Sequence, residues 1–233
     1  MDAQERVALW LADETVDEDT KREIRALDEK ELEERFYRDL SFGTGGLRGL
    51  IGVGSNRLNR YTIRRATQGL AAYLLDNVPQ AAQRGVVIAY DSRHCSTEFA
   101  LETAAVLNGN GIKAYVFREL RPTPQLSFAV RELGAAAGVV ITAIHNPPEY
   151  NGYKVYDQDG VQVVPRIAAQ ITQAIDGVQS FAQVRYMARE EAEAAGLFHW
   201  LGEEIDDRYV ERLLTLILRP DAVRQMGPQL RII

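Results

Sequence analysis

Three short apolar runs, Gly85–Tyr90 (GVVIAY), Lys113–Phe117 (KAYVF) and Gly138–Ala143 (GVVITA), restrict the folds open to this chain more than any other feature. Runs this short and apolar suit strands buried on both faces, and helical periodicity fills the stretches between them. Ser96 or Thr97 starts one such helix, which Asn108–Gly111 ends, and a second runs from about Pro124 to Leu133. Strands and helices alternating at this spacing predict an α/β domain, a mixed sheet sandwiched by helices with right-handed crossovers. Gly152–Tyr156 adds a fourth strand and Val164–Ile175 a helix behind Pro165. Upstream, Arg60–Leu75 reads as a helix with Ile63, Ala66, Leu70, Tyr73 and Leu74 inward. Thr20–Leu40 reads as another, capped by Asp19 or Thr20, with an apolar stripe of Ile24, Leu27, Leu32, Phe36 and Leu40.

Composition narrows the functional classes. The 233 residues are 46% hydrophobic and 26% charged, which supports a packed core and argues against disorder. No apolar run approaches the roughly 18 residues of a membrane helix, and the acidic N-terminus lacks the pattern of a signal peptide, so a cytoplasmic protein without a membrane partner is expected. The single Cys95 excludes an internal disulfide, and the scattered His94, His145 and His199 offer no zinc constellation. Twelve acidic and six basic residues between Asp13 and Asp39 account for the whole net charge of −6. Arg57, Arg60, Arg64 and Arg65 cluster, but without interleaved aromatics beyond Tyr61, so no nucleic-acid partner is expected.

Two segments carry chemistry. Six glycines fall between Gly43 and Gly54, which requires tight turns or close approach of the backbone to something else. The spacing fits neither a dinucleotide fingerprint nor a Walker A loop. A tight loop around Gly45 and Gly46 beside Arg48 suits a phosphate oxyanion, and a purely structural glycine loop is the alternative. The second segment, ITAIHNPPEYNGYK from Ile141 to Lys154, brings His145, Asn146 and Lys154 to the mouth of a buried strand, where open α/β sheets place their ligands. Lys154 there can act as general acid/base or phosphate ligand and His145 as a donor; the bland alternative is a loop tied together by its asparagines.

Ser41–Gly49 (SFGTGGLRG), Tyr90–Arg93 (YDSR), Arg121–Pro124 (RPTP) and Thr142–Pro147 (TAIHNP) followed by Tyr150–Lys154 (YNGYK) together resemble the phosphoglucomutase/phosphomannomutase family, the α-D-phosphohexomutases. The opening WLAD at Trp10 and TKREI at Thr20 resemble its long phosphoglucomutase/phosphopentomutase branch. The resemblance implies a four-domain enzyme, of which this chain would hold an N-terminal helical segment (1–40), domain 1 (41–180), a linker (181–205) and the truncated start of domain 2 (206–233). Leu230–Ile233 would open a strand, and the parent's later domains would be missing partners. It implies sugar-phosphate substrates: a phosphoserine gives its phosphoryl group to a sugar monophosphate and takes the other one back from the bisphosphate. Arg48 would stabilise the transferring charge or assist proton transfer, His145 and Asn146 would orient the phosphoryl group, Gly45 and Gly46 would contact phosphate, and Lys154 would be the general acid/base. Mg²⁺ would bind a phosphoserine oxygen and an aspartate loop further along the parent chain.

The chain departs from that pattern at its centre. Ile144 occupies the serine position and has no heteroatom to carry a phosphoryl group or a metal. Thr142, two residues earlier, lies roughly 6–7 Å away along an extended strand, too far to replace it. One base change converts a serine codon into an isoleucine codon. The expectation is therefore the front part of a sugar-phosphate mutase, itself inactive; the alternative is a non-catalytic sugar-phosphate-binding or regulatory module.

Overall fold

The computed structural model describes residues 1–231. Three short helices open the chain: α1 (Ala3–Ala12), α2 (Glu18–Ala26) and α3 (Glu29–Phe36). There follow β1 (Gly46–Leu50), α4 (Arg60–Asn77), α5 (Ala81–Arg84), β2 (Val86–Tyr90), α6 (Ser96–Gly109), β3 (Ala114–Phe117), α7 (Thr123–Glu132), β4 (Ala137–Ile141), β5 (Tyr150–Tyr156) and α8 (Pro165–Asp176). After a 3₁₀ turn at Phe181–Gln183 come α9 (Arg189–Ala194), β6 (Phe198–Leu201), α10 (Glu203–Leu214), α11 (Pro220–Met226) and a last 3₁₀ turn at Gly227–Gln229.

The strands form one six-stranded mixed sheet in the order β1-β5-β4-β2-β3-β6. β4, β2, β3 and β6 are mutually parallel, whereas β5 pairs antiparallel with both β4 and β1. The three apolar runs are the parallel centre, and every residue of β2 and β4 is buried. Helices α4, α6 and α8 bury Ile63, Leu70, Phe99, Leu107 and Ile171 against Val86, Ile88, Val116 and Ile141 on one face. On the other, Leu126, Ala129 and Val130 of α7 and Ile205 of α10 pack on Val87, Ala89, Phe117 and Val140. This is the helix-covered mixed α/β sheet expected from the sequence.

The N-terminal reading needs two corrections. The stretch Thr20–Leu40 is two helices, because the Asp28 side chain accepts the Glu31 N–H at 2.8 Å and starts α3 afresh in a reciprocal capping box. The cap of α2 is Asp17, which accepts the Thr20 N–H, rather than Asp19 or Thr20. Three acids of this segment meet the arginine cluster: Arg57 holds Glu34 at 2.7 Å, Arg65 holds Asp39 at 2.7 Å, and Arg60 lies 3.8 Å from Asp17. Arg64 pairs with Glu102 at 2.6 Å. Trp10 is the hub of the apolar contacts, edge-on to Phe36, Tyr61 and Phe181 with ring centroids 5.1–5.6 Å apart.

Residues 181–205, read from the sequence as a linker, contain part of the sheet. β6 pairs with β3 in parallel from Ala114↔Phe198 to Phe117↔Leu201, and Phe198 and Leu201 are buried. A four-residue strand with two polar-tipped members, His199 and Trp200, has too little apolar length to announce itself. Further along, α10 spans Glu203–Leu214 and begins before residue 206, where the start of domain 2 was expected. Leu230 and Arg231 form no strand, and the rest of the strand read at Leu230–Ile233 lies outside the described residues. Among the described residues no helix is long and apolar enough to cross a membrane.

A chain ended at Ser180 would leave β3 as a bare sheet edge and lose the burial of Phe198 and Leu201, worth about 2 kcal/mol each. It is expected to unfold at lower urea than the 233-residue chain and to self-associate on size exclusion. Equal urea midpoints and a clean monomer would show that β6 is dispensable.

Candidate functional site

The antiparallel register of β5 assembles the site. Lys154 lies opposite Val140 of β4 and opposite Gly46 of β1, and Gly152 lies opposite Arg48. Directly opposed residues share a face, and so do residues two apart along a strand, so Arg48 and Lys154 stand diagonal to each other on the face that carries α7. α7 covers β2 and β4 there, while Arg48 on the outermost strand is exposed and Lys154 half-buried. The pairing needs a glycine at position 46, where a Cβ would come within 2.1 Å of the Tyr153 carbonyl oxygen. Gly45 has φ +146°, and a Cβ there would strike the Gln162 side chain at 2.5 Å. Both glycines thus have packing reasons. The Gly45 N–H is already donated to the Gly43 carbonyl at 2.7 Å, so only a rearranged loop could offer it to an anion.

The loop leaving β4 carries the remaining residues. Asn146 turns back with its N–H on the Ala143 carbonyl, and its Oδ1 accepts from Arg48 Nη1 at 3.4 Å. His145 is exposed on the crest. The structure therefore brings Arg48 onto Asn146 of this loop, with Lys154 diagonal to Arg48 on the sheet and Ile144 and His145 at the loop's apex. Ile144 is 59% exposed and has φ +53°, the left-handed region that a β-branched residue rarely adopts. A conformation of this kind costs of order 1–3 kcal/mol. Thr142 is no substitute carrier, since its buried Oγ1 accepts the Ile144 N–H at 3.0 Å.

One functional residue went unassigned in the sequence. Arg93, in the YDSR motif, sends its guanidinium under the loop and donates to the carbonyls of Ile144, Asn146, Pro147 and Tyr150 at 2.6–3.0 Å. An arginine three residues past a buried parallel strand, at the end of the sheet where ligands bind, was the available signal.

Burial, and secondarily the positive charge of Arg48, hold the Lys154 ammonium below the usual lysine range. That shift favours a lysine able to exchange a proton. The Mg²⁺ implied by the family resemblance needs oxygen ligands. Ile144 offers none, two guanidinium groups flank the loop, and among the described residues no three His, Cys, Asp or Glu side chains are grouped to hold a metal. The residues of this loop do not fit a cation, and no step is routed through one.

Replacing Ile144 with Asn, which tolerates the left-handed region, is expected to stabilise the chain by about 1 kcal/mol in urea unfolding; unchanged or lower stability would contradict the strain. In a chain whose lysines carry ¹³C-methyl labels, the Lys154 resonance should titrate below the ordinary range, and Arg48→Ala should move that titration upward. A titration that Arg48→Ala leaves in place would show that the two charges do not interact.

Comparison with known proteins places the family and the fold. Residues 39–181 match the family model described as phosphoglucomutase/phosphomannomutase, alpha/beta/alpha domain I. The chain is 48% identical over 165 residues to a Schizosaccharomyces pombe protein named "Probable phosphoribomutase", covering 70% of this chain and 28% of that protein. It is 37% identical over 216 residues to the phosphoglucomutase of Staphylococcus saprophyticus, covering 92% of this chain and 38% of the relative. The chain therefore spans about a third of the length of these relatives. A crystal structure of a phosphoglucomutase/phosphomannomutase family protein from Burkholderia thailandensis superposes with a TM-score of 0.56 at 22% identity, covering 75% of this chain and 35% of the other, which shows the shared fold. With the family model matched over residues 39–181 of 233, the chain belongs to the phosphoglucomutase/phosphomannomutase family.

Proposed function

We propose that this chain presents the phosphoryl-transfer loop of a cytoplasmic sugar-phosphate mutase and that, with isoleucine at position 144, it binds the phosphate of a sugar phosphate without transferring it. The reading rests on one observation: Arg48 reaches Asn146 of the loop that carries Ile144 and stands diagonal to a partly buried Lys154 on the same face of the sheet. In the parent reaction a phosphoryl group passes between an apex serine oxygen and a sugar hydroxyl, interconverting 1- and 6-phosphates of a hexose or 1- and 5-phosphates of a pentose. The Arg48 guanidinium would neutralise charge spread over the phosphoryl oxygens. Lys154 Nζ would take the hydroxyl proton as the P–O bond forms and return it as that bond breaks. Asn146 and His145 would orient the group. Isoleucine removes the oxygen that accepts phosphorus, so the transfer half fails while the binding half survives. The relatives' names include both a phosphoribomutase and a phosphoglucomutase, which supports a sugar phosphate, of a hexose or of a pentose, as the ligand class.

A purely regulatory module is the second reading, and Ile144 alone favours it. The two separate in a full-length parent carrying isoleucine at this position: Ile144→Ser should restore mutase turnover, whereas a regulatory module stays inactive.

Calorimetric titration of the 233-residue chain with glucose 1-phosphate, glucose 6-phosphate and the bisphosphate should show millimolar or tighter binding. Arg48→Ala should weaken it about tenfold, the size expected for a charge-assisted hydrogen bond. No heat at millimolar ligand, or mutase turnover by the unaltered chain, would overturn the proposal.

A further inference from the structure

Ile144 holds a left-handed backbone that its own side chain disfavours, and that side chain is mostly in solvent, so the turn is imposed from elsewhere. The group in position to impose it is Arg93. Its Nη2 donates to the carbonyls of Ile144 at 3.0 Å and Asn146 at 2.6 Å, and its Nη1 to those of Pro147 at 2.9 Å and Tyr150 at 3.0 Å. Drawing the carbonyls on both sides of His145 onto one nitrogen fixes the peptide planes that set the apex. Two other bonds at the apex are single and neutral: the Ile144 N–H donates to Thr142 Oγ1 at 3.0 Å, and the Asn146 N–H to the Ala143 carbonyl at 3.1 Å.

Arg93 is itself held. Its side chain is 14% exposed, its own N–H donates to Asp91 Oδ1 at 3.0 Å, and its Nε faces Asp91 Oδ2 at 3.5 Å. Asp91 Oδ1 also accepts the Ser96 hydroxyl at 2.8 Å, and Ser96 Oγ accepts from Asn151 Nδ2 at 2.9 Å. Asn151 is wholly buried at the start of β5, where its Oδ1 takes the Gly152 N–H. The fork is therefore aimed by a bonded series that runs from the end of β2, through the first residue of α6, into β5.

We infer that Arg93 is the positioning residue of the loop: its planar fork, rather than the residue at the apex, sets the left-handed turn at position 144 and so the placement of Asn146 and of any side chain at the apex. A planar guanidinium can serve four carbonyls at once, whereas an ammonium of the same charge cannot reach them in that geometry.

A double-mutant cycle in urea tests this. Ile144→Asn should raise the folding equilibrium constant about fivefold when Arg93 is present, and less than about twofold in an Arg93→Met background, where the loop relaxes on its own. If Arg93→Met does not fold, Arg93→Lys replaces it in the cycle. Equal gains in both backgrounds overturn the inference. Hydrogen exchange supplies a local readout: in Arg93→Lys the amides of Asn146 and Tyr150 should exchange at least about tenfold faster, with β2 and β4 unchanged. Uniform acceleration across the sheet would mean that Arg93 only stabilises the fold. A titration with inorganic phosphate, which Arg93→Lys should weaken, rests on the phosphate-binding reading proposed above. If the parent chain binds no phosphate, that reading fails while the cycle and the exchange data still decide the role of Arg93.

Discussion

Everything at the candidate site depends on β5 running against both of its neighbours. The other strands run in one direction and would, by themselves, deliver only loop ends to the edge of the sheet. A reversed strand between β4 and β1 instead brings Lys154 into line with Val140 and Gly46, and sets Gly152 beside Arg48. Two cations are thereby placed diagonally on an uncovered strip of sheet, with the loop from β4 beside them. Their mutual repulsion and the partial burial of Lys154 are the electrostatic cost of that placement. The arrangement tolerates no side chain at position 46, where the Tyr153 carbonyl occupies the space a Cβ would take.

The N-terminal segment illustrates how a charge run can mislead when viewed alone. Its carboxylates face arginines on and just before α4, and its apolar residues close over Trp10, Tyr61 and Phe181. Phe181 comes from beyond α8, so the segment is tied to both ends of the central unit. The Tyr61 hydroxyl donates to Asp17 at 2.6 Å, and this hydrogen bond, ahead of the helix cap and Arg60, holds the Asp17 carboxyl below its ordinary range. The clustered arginines Arg57, Arg60, Arg64 and Arg65 are engaged by the chain's own acids.

Ile144 shows local preference and tertiary constraint in conflict. A β-branched residue belongs in an extended strand, and the string GVVITAI reads as one strand through position 144. The strand in fact ends at Ile141, and the backbone then turns through a left-handed residue whose carbonyl accepts from Arg93 and whose N–H donates to Thr142 Oγ1. The run GVVITAI does not announce the guanidinium that holds this turn, because Arg93 lies some fifty residues away. The family resemblance of the sequence motifs singles out position 144 by residue type; the dihedral angle there is unusual on its own account.

The amino-acid sequence by itself determined the helix-covered mixed sheet, since buried runs and amphipathic helices are local patterns that each element carries within itself. It also determined that Arg48, Asn146 and Lys154 are worth watching and that position 144 lacks a phosphoryl-accepting atom. Only the tertiary structure decided that β6 joins the sheet, that Asp28 splits the N-terminal helix, and that Gly45 and Gly46 answer to packing. It alone brought Arg93 beneath a loop it meets nowhere along the chain. The reason is that pairing register and side-chain reach are properties of segments distant in sequence, and no local pattern of residues encodes which distant carbonyls one guanidinium will meet.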